Sequence, residues 1–193
     1  MEWNLALLIY VVVQFIAFFF VLVATPIDMF RVKPMFREGT VPCWTLWGVK
    51  FHCFDLSYAF RPEFVFVNCT SRLMRFRVAE AFAIISILVY GAAFALGVIM
   101  LFCCPIGRWI CLALNIVGAV AVCVVWATMV VTFFYDEGAF CPALQRFCHY
   151  GAGFALFVIA WVLDVLNIFV LVLSIGTTVT TESGQVEQTE GKL

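Results

Sequence analysis

Nine cysteines, two histidines and a carboxylate deep inside an apolar run are the residues of this 193-residue chain with chemistry to offer. Cys43, Cys53 and Cys69 share one polar stretch, and Cys141 and Cys148 share another. The natural disulfide pairs are Cys43–Cys53 and Cys141–Cys148, since each closes a short loop and restricts the unfolded chain. Such bonds last only in an oxidising compartment, so both stretches are expected outside the cytosol. The odd count leaves at least one thiol free or paired between chains. His52 and His149 each adjoin a loop cysteine, from which a Cys/His zinc site could be drawn. Disulfides are expected there instead, and no metal or cofactor is assigned. The chain has no Gly-x-Ser-x-Gly and no His-Glu-x-x-His. Gly151-Ala152-Gly153 lacks the third glycine and preceding strand of a dinucleotide site. No enzymatic activity is expected.

The elements that position these residues follow from composition. Apolar types make up 65% of the chain and charged types 12%, against ~45–50% and ~25% in soluble domains. A soluble fold of this size cannot hide so much apolar surface, and disordered chains are poor in these residues. With 11 Lys and Arg against 12 Asp and Glu, a basic surface for nucleic acid is excluded. A membrane protein remains. Four long, nearly charge-free stretches, 3–25, 79–102, 109–134 and 152–175, are each long enough to cross the ~30 Å hydrocarbon core as a helix. Trp3 and Trp109 mark one interface, Tyr135 and Tyr150 the other. Met1-Glu2-Trp3-Asn4 lacks the positive start of a signal peptide, so the first span reads as a retained anchor.

Between the spans lie a long loop, 26–78, a tight turn, 103–108, and a medium loop, 135–151; a polar tail, 176–193, is expected to be disordered. In the long loop, 43–47 and 49–54 read as strands around Gly48, and Glu63-Phe-Val-Phe-Val-Asn-Cys69 mixes aromatic and β-branched residues like a third. The expected fold is one membrane domain over 1–193: an all-α transmembrane four-helix bundle carrying a small extracellular antiparallel β-sheet.

The run Cys43-Trp44-Thr45-Leu46-Trp47-Gly48-Val49-Lys50-Phe51-His52-Cys53 resembles the signature block of the amastins, four-span surface glycoproteins of kinetoplastid parasites. Thr45, Leu46, Trp47, Gly48 and Lys50 match in register between the two cysteines, while Trp44 and His52 depart from the commoner residues. The family is distantly similar to claudins, in which the tryptophan precedes the cysteine pair; Trp47 lies between them. The resemblance implies a plasma-membrane protein linked to contact with host membrane. Physically, the cysteines pin a hairpin and Gly48 permits its bend. Trp44, Leu46 and Trp47 offer apolar surface, and Lys50 can reach headgroups or a partner. Trp47 has two roles open to it, a plug over the helix bundle or an exposed anchor.

All but Arg108 and Lys192 of the Lys and Arg residues fall in the two larger loops. The positive-inside rule therefore opposes placing those loops outside. The cysteine pairs, the family pattern and the sequon Asn68-Cys69-Thr70, a possible glycan site, favour extracellular loops and cytoplasmic termini. Cys103 and Cys104 at the tight turn are then palmitoylation candidates.

Asp164 lies at the middle of the fourth span, Gln14 at the middle of the first and Tyr90 near that of the second, with Asn167 on nearly the same face as Asp164. A carboxylate in lipid is costly, so Asp164 should face the bundle interior. These residues read either as a clasp fixing helix register or as a proton- or ion-responsive site. The favoured function is adhesion and membrane organisation at the parasite–host boundary, with Trp44, Trp47, Arg61 and Arg72 meeting headgroups or a host surface protein. A transport component centred on Asp164 is the alternative. The bilayer is the expected environment and a homo-oligomer is left open; the small-residue spacings Ala119/Cys123/Ala127, Gly91/Ala95 and Gly151/Ala155 support close helix packing and say little about oligomers.

Overall fold

The computed structural model describes residues 5–34, 42–53, 55, 57–102, 107–138 and 141–190, with side chains described as far as Leu173. Trp3, Cys103 and Cys104 lie outside the described residues.

Four long helices form the body: α1 (Leu5–Ala24), α3 (Thr70–Phe102), α4 (Arg108–Phe134) and α5 (Ala152–Glu190), with a single turn, α2 (Pro62–Val65), preceding α3. Each long helix contains a stretch apolar enough to cross a membrane, and at most a third of each such window is buried. The outward faces carry Ile9, Val12 and Phe19 on α1, Ile84 and Leu88 on α3, Val117 and Val120 on α4, and Leu166 and Phe169 on α5. That inside-out distribution suits lipid, where backbone groups must be satisfied within the segment and apolar side chains need no cover. α1 packs on α3 and α5, and α4 on the same two, giving a four-helix membrane bundle.

Above one end sits a four-stranded antiparallel sheet. Its strands are β1 (Asp28–Val32), β2 (Cys43–Thr45), β3 (Val49–Lys50) and β4 (Cys148–Tyr150), in the order β3-β2-β1-β4. β1 and β4 were not expected. β1 pairs Arg31 with Cys43 on one side and Val32 with Cys148 on the other, so the sheet sews the two larger loops together. Buried Phe30 stacks near Phe133 (5.9 Å) and Tyr150 (6.0 Å), and this apolar cluster runs without a break into the bundle.

Two expectations about the long loop are corrected. Glu63–Cys69 is not a strand. Pro62 opens a helical turn instead, closed by the Phe66 N–H donating to the Pro62 carbonyl at 2.9 Å, as suits a residue that lacks its own N–H. The Phe66 ring fills the space between Trp44 (5.3 Å) and Phe76 (5.0 Å). The second long helix begins at Thr70, nine residues before the expected span, which extends it by about 13 Å. Arginines exclude those residues from lipid but not from a helix, and each finds a partner. Arg72 donates to the carbonyls of Cys141 (3.2 Å) and Pro142 (2.8 Å), and Arg75 pairs with Glu137 at 2.6 Å. The tail also departs from expectation, since α5 continues to Glu190.

Asp28, which the sequence did not single out, joins sheet to bundle. It is 2% exposed, accepts two bonds from Arg31 (2.6 and 3.1 Å), and accepts from the Ala152 N–H at 3.3 Å. A carboxylate at the first turn of α5 satisfies a donor left open by the helix and complements its dipole. Gly151 lets this contact close, because a Cβ there would stand 2.3 Å from the Asp28 carbonyl oxygen.

Candidate functional site

The signature residues are structural parts of the sheet and its hairpin. Thr45 Oγ1 accepts from the N–H groups of Trp47 (3.1 Å) and Gly48 (3.2 Å) and donates to the Gly48 carbonyl (2.9 Å), fixing the turn. Leu46 is fully buried. Trp47 donates from Nε1 to the Thr25 carbonyl at 3.1 Å, tying the hairpin to the end of α1. Lys50 does not reach outward: it is 5% exposed, donates to the Pro26 carbonyl at 3.4 Å and lies 4.8 Å from the centre of the Tyr58 ring. Arg72, expected at a contact surface, is likewise buried.

Of these residues Trp47 lines a cavity of about 860 Å³, together with the segment Tyr58–Phe64 and Arg77 and Glu80 of α3. Tyr58 meets the side chain of Thr45. Val49 donates to the Phe60 carbonyl at 2.9 Å, and Gly48, at φ +150°, is the close neighbour that lets Phe60 approach. Arg77 pairs with Glu63 and, at 2.8 Å, with Glu80. One guanidinium between two carboxylates leaves a residual negative charge, and Glu63 Oε2 is buried without a partner. Arg61, exposed at the rim, makes no ion pair among the described residues. Sequence reasoning named Arg61 and Trp47 but missed Glu63, Arg77 and Glu80. Arg77 was read as the end of a loop and Glu80 as the start of a span, which hid their i, i+3 pairing on one helix, and Glu63 lies fourteen residues before Arg77 in sequence.

The cysteine pairing is corrected in part. Cys43 and Cys53 are bonded, with Cα atoms 5.3 Å apart. Cys141 bonds to Cys69, Cα–Cα 5.9 Å, and not to Cys148. Cys148 is a strand residue opposite Val32, so its side chain is committed to the core, where it is free and 1% exposed. Burial pushes its thiol up to about 11, against a weaker opposing pull from Lys33 and Arg72. Iodoacetamide at pH 8 is therefore expected to leave Cys148 unmodified in the folded chain and to label it once the chain is unfolded without reductant. Peptide mass spectrometry reads the site, and rapid labelling of the native protein would contradict this burial. Asn68 is exposed in the turn before α3.

Within the bundle the polar residues form a layer between two apolar clusters, drawing on all four long helices. Asn167 donates to Gln14 Oε1 (2.8 Å) and to the Tyr10 carbonyl (3.3 Å), and Asn115 donates to the Tyr10 hydroxyl (3.2 Å). Gln14 thus meets Asn167, not Tyr90. Tyr90 neighbours Asp164 instead, but no hydrogen bond of good geometry closes among the Tyr90 hydroxyl and the two Asp164 oxygens. Both stand over Gly118, where a Cβ would lie 2.7 Å from the Tyr90 ring. Tyr10 and Asn115 were missed. Tyr10 lies one helical turn before Gln14, and Asn115 is a lone amide in an apolar run; either signal was available.

The positions of His52 and His149 give no metal centre. Both are exposed, and among the described residues no group of three metal-ligating side chains comes together. A family model described as Amastin surface glycoprotein matches residues 15–171. No curated protein matches the chain.

Proposed function

The chain belongs to the amastin surface glycoprotein family, and on that premise we propose that this multi-pass surface membrane protein makes contact with an apposed host membrane or surface protein through the cross-linked hairpin loop of its cap. The carrying observation is an exposed aromatic ring on that loop, Phe51, set against Phe60 of the segment that follows it. Phe51 and Phe60 meet edge to face at 6.0 Å and are 45% and 51% exposed. Phe51 on a disulfide-closed loop, with Phe60 tied to Val49 by backbone hydrogen bonds, makes a good anchor, because little freedom is lost on binding. Trp44 and Trp47, partly buried against the cap, serve as scaffold. Extracellular loops and cytoplasmic termini belong to this reading, supported by one disulfide within the long loop and one joining it to the medium loop; a glycan on exposed Asn68 and a non-enzymatic role are also part of it.

A second reading, proton- or ion-linked transport, is favoured by one observation: the Asp164 oxygens, fully buried between helices, have no hydrogen-bond partner. One experiment separates the two. The full chain is reconstituted into vesicles, and clustering and proton flux are measured together. Contact predicts clustering without flux, reduced at least ~5-fold by Phe51→Ser with Phe60→Ser, as loss of ~1 kcal/mol at an anchor would give. Flux above empty vesicles, lost in Asp164→Asn and without clustering, overturns contact in favour of transport.

A further inference from the structure

We propose that the cavity between Trp47, Arg61 and Glu63 holds the headgroup of a zwitterionic phospholipid from the membrane that the chain itself spans.

The first argument is depth. α1 carries no charge from Leu5 to Ala24, and the Thr25 carbonyl just beyond it accepts from Trp47 in the cavity wall. On α3, Arg77 and Glu80 are the last charged residues before the uncharged run 81–102, and both line the cavity. Two helices thus pass from polar to apolar at the level of the cavity, which sets it where headgroups lie.

The second argument is charge. An anionic headgroup would meet the surplus carboxylate of the Glu63–Arg77–Glu80 trio. A lone cation would leave Arg61 unmatched. A phosphate ester bearing an ammonium a short chain away satisfies both poles. The phosphate suits the rim guanidinium of Arg61, which can donate two parallel bonds. The ammonium suits the unpartnered Glu63 Oε2 and the Trp47 ring beside it in the cavity wall, the Tyr58 ring being taken by Lys50. The third argument is access: Phe64, in the cavity lining, is 74% exposed, so acyl chains leaving the site meet an apolar side chain. This inference does not depend on contact with an apposed surface, and vesicle clustering plays no part in its test.

The test is native mass spectrometry of the full chain released from micelles containing equal phosphatidylcholine, phosphatidylethanolamine and phosphatidylglycerol. The expected result is retention of either zwitterionic lipid over phosphatidylglycerol by about 10-fold, the effect of one charge-assisted contact pair. Arg61→Glu and Glu63→Gln should each remove that preference, while melting temperature confirms that both fold. Millimolar free phosphocholine should not displace the lipid. Equal retention of the three lipids, or a preference unchanged in both variants, overturns the proposal; displacement by free phosphocholine overturns the membrane as the source of the ligand.

Discussion

Replacing Cys69 and Cys141 with alanine is expected to destabilise the chain by about 4 kcal/mol, the largest effect of any cysteine change, because the bond spans 72 residues. The same chain-entropy relation gives ~3 kcal/mol for Cys43–Cys53, which spans 10. Cys148→Ala, which removes a buried sulfur but no bond, is expected to cost only about 1 kcal/mol. SDS titration of the purified variants, followed by loss of helical signal, orders them. If Cys148→Ala proved as damaging as Cys141→Ala, the bond would join those two residues, and the architecture of the cap would be wrong. The long bond matters beyond entropy. It fastens the start of α3 beside the carbonyls of Cys141 and Pro142 that Arg72 grips, so its loss also leaves a buried guanidinium with looser acceptors.

Gly48→Ala is the second large effect, expected at about 3 kcal/mol from combined backbone strain and crowding. At φ +150° a side chain is strained whatever the space, and here a Cβ would stand 2.3 Å from the Phe60 carbonyl oxygen. That oxygen accepts from Val49, so the substitution pushes away the segment carrying Phe60 and Arg61. Stability and cavity should therefore fail together. A Gly48→Ala chain that keeps wild-type stability in SDS titration would show that the loop can yield, and that glycine is there for another reason. Thr45→Val, which keeps the shape but removes the turn-closing hydroxyl, is the milder companion.

The helices were legible because lipid makes a severe demand that sequence records directly: long runs without charge. The sheet was only half legible. The Cys43–Trp47 hairpin announced itself by Gly48, but β1 and β4 are five and three residues long and find each other from opposite ends of the chain. No local pattern encodes that pairing. The partner of Cys141 was missed for the same reason: spacing favoured nearby Cys148, whereas β4 had already committed Cys148 to the core. In the bundle, type and depth pointed to Asp164, Tyr90, Gln14 and Asn167. Which of them touch depends on helix rotation, set by seats such as Gly97 against the Tyr10 ring. Lys50 and Arg72 were read as outward because charge ordinarily is. Backbone carbonyls and aromatic faces, Tyr58 for Lys50 and Phe66 for Arg72, took them inward.

The span of the Cys69–Cys141 bond has a consequence for how the protein is made. Cys69 is synthesised before Cys141 and β4, and waits while the whole of α3 and α4 is translated and inserted. At ~5–20 residues per second, 72 residues take roughly 4–14 s. Throughout that interval its nearest available thiols are Cys43 and Cys53, so a nascent chain can mispair before its proper partner arrives, and overall yield should depend on disulfide isomerase supply.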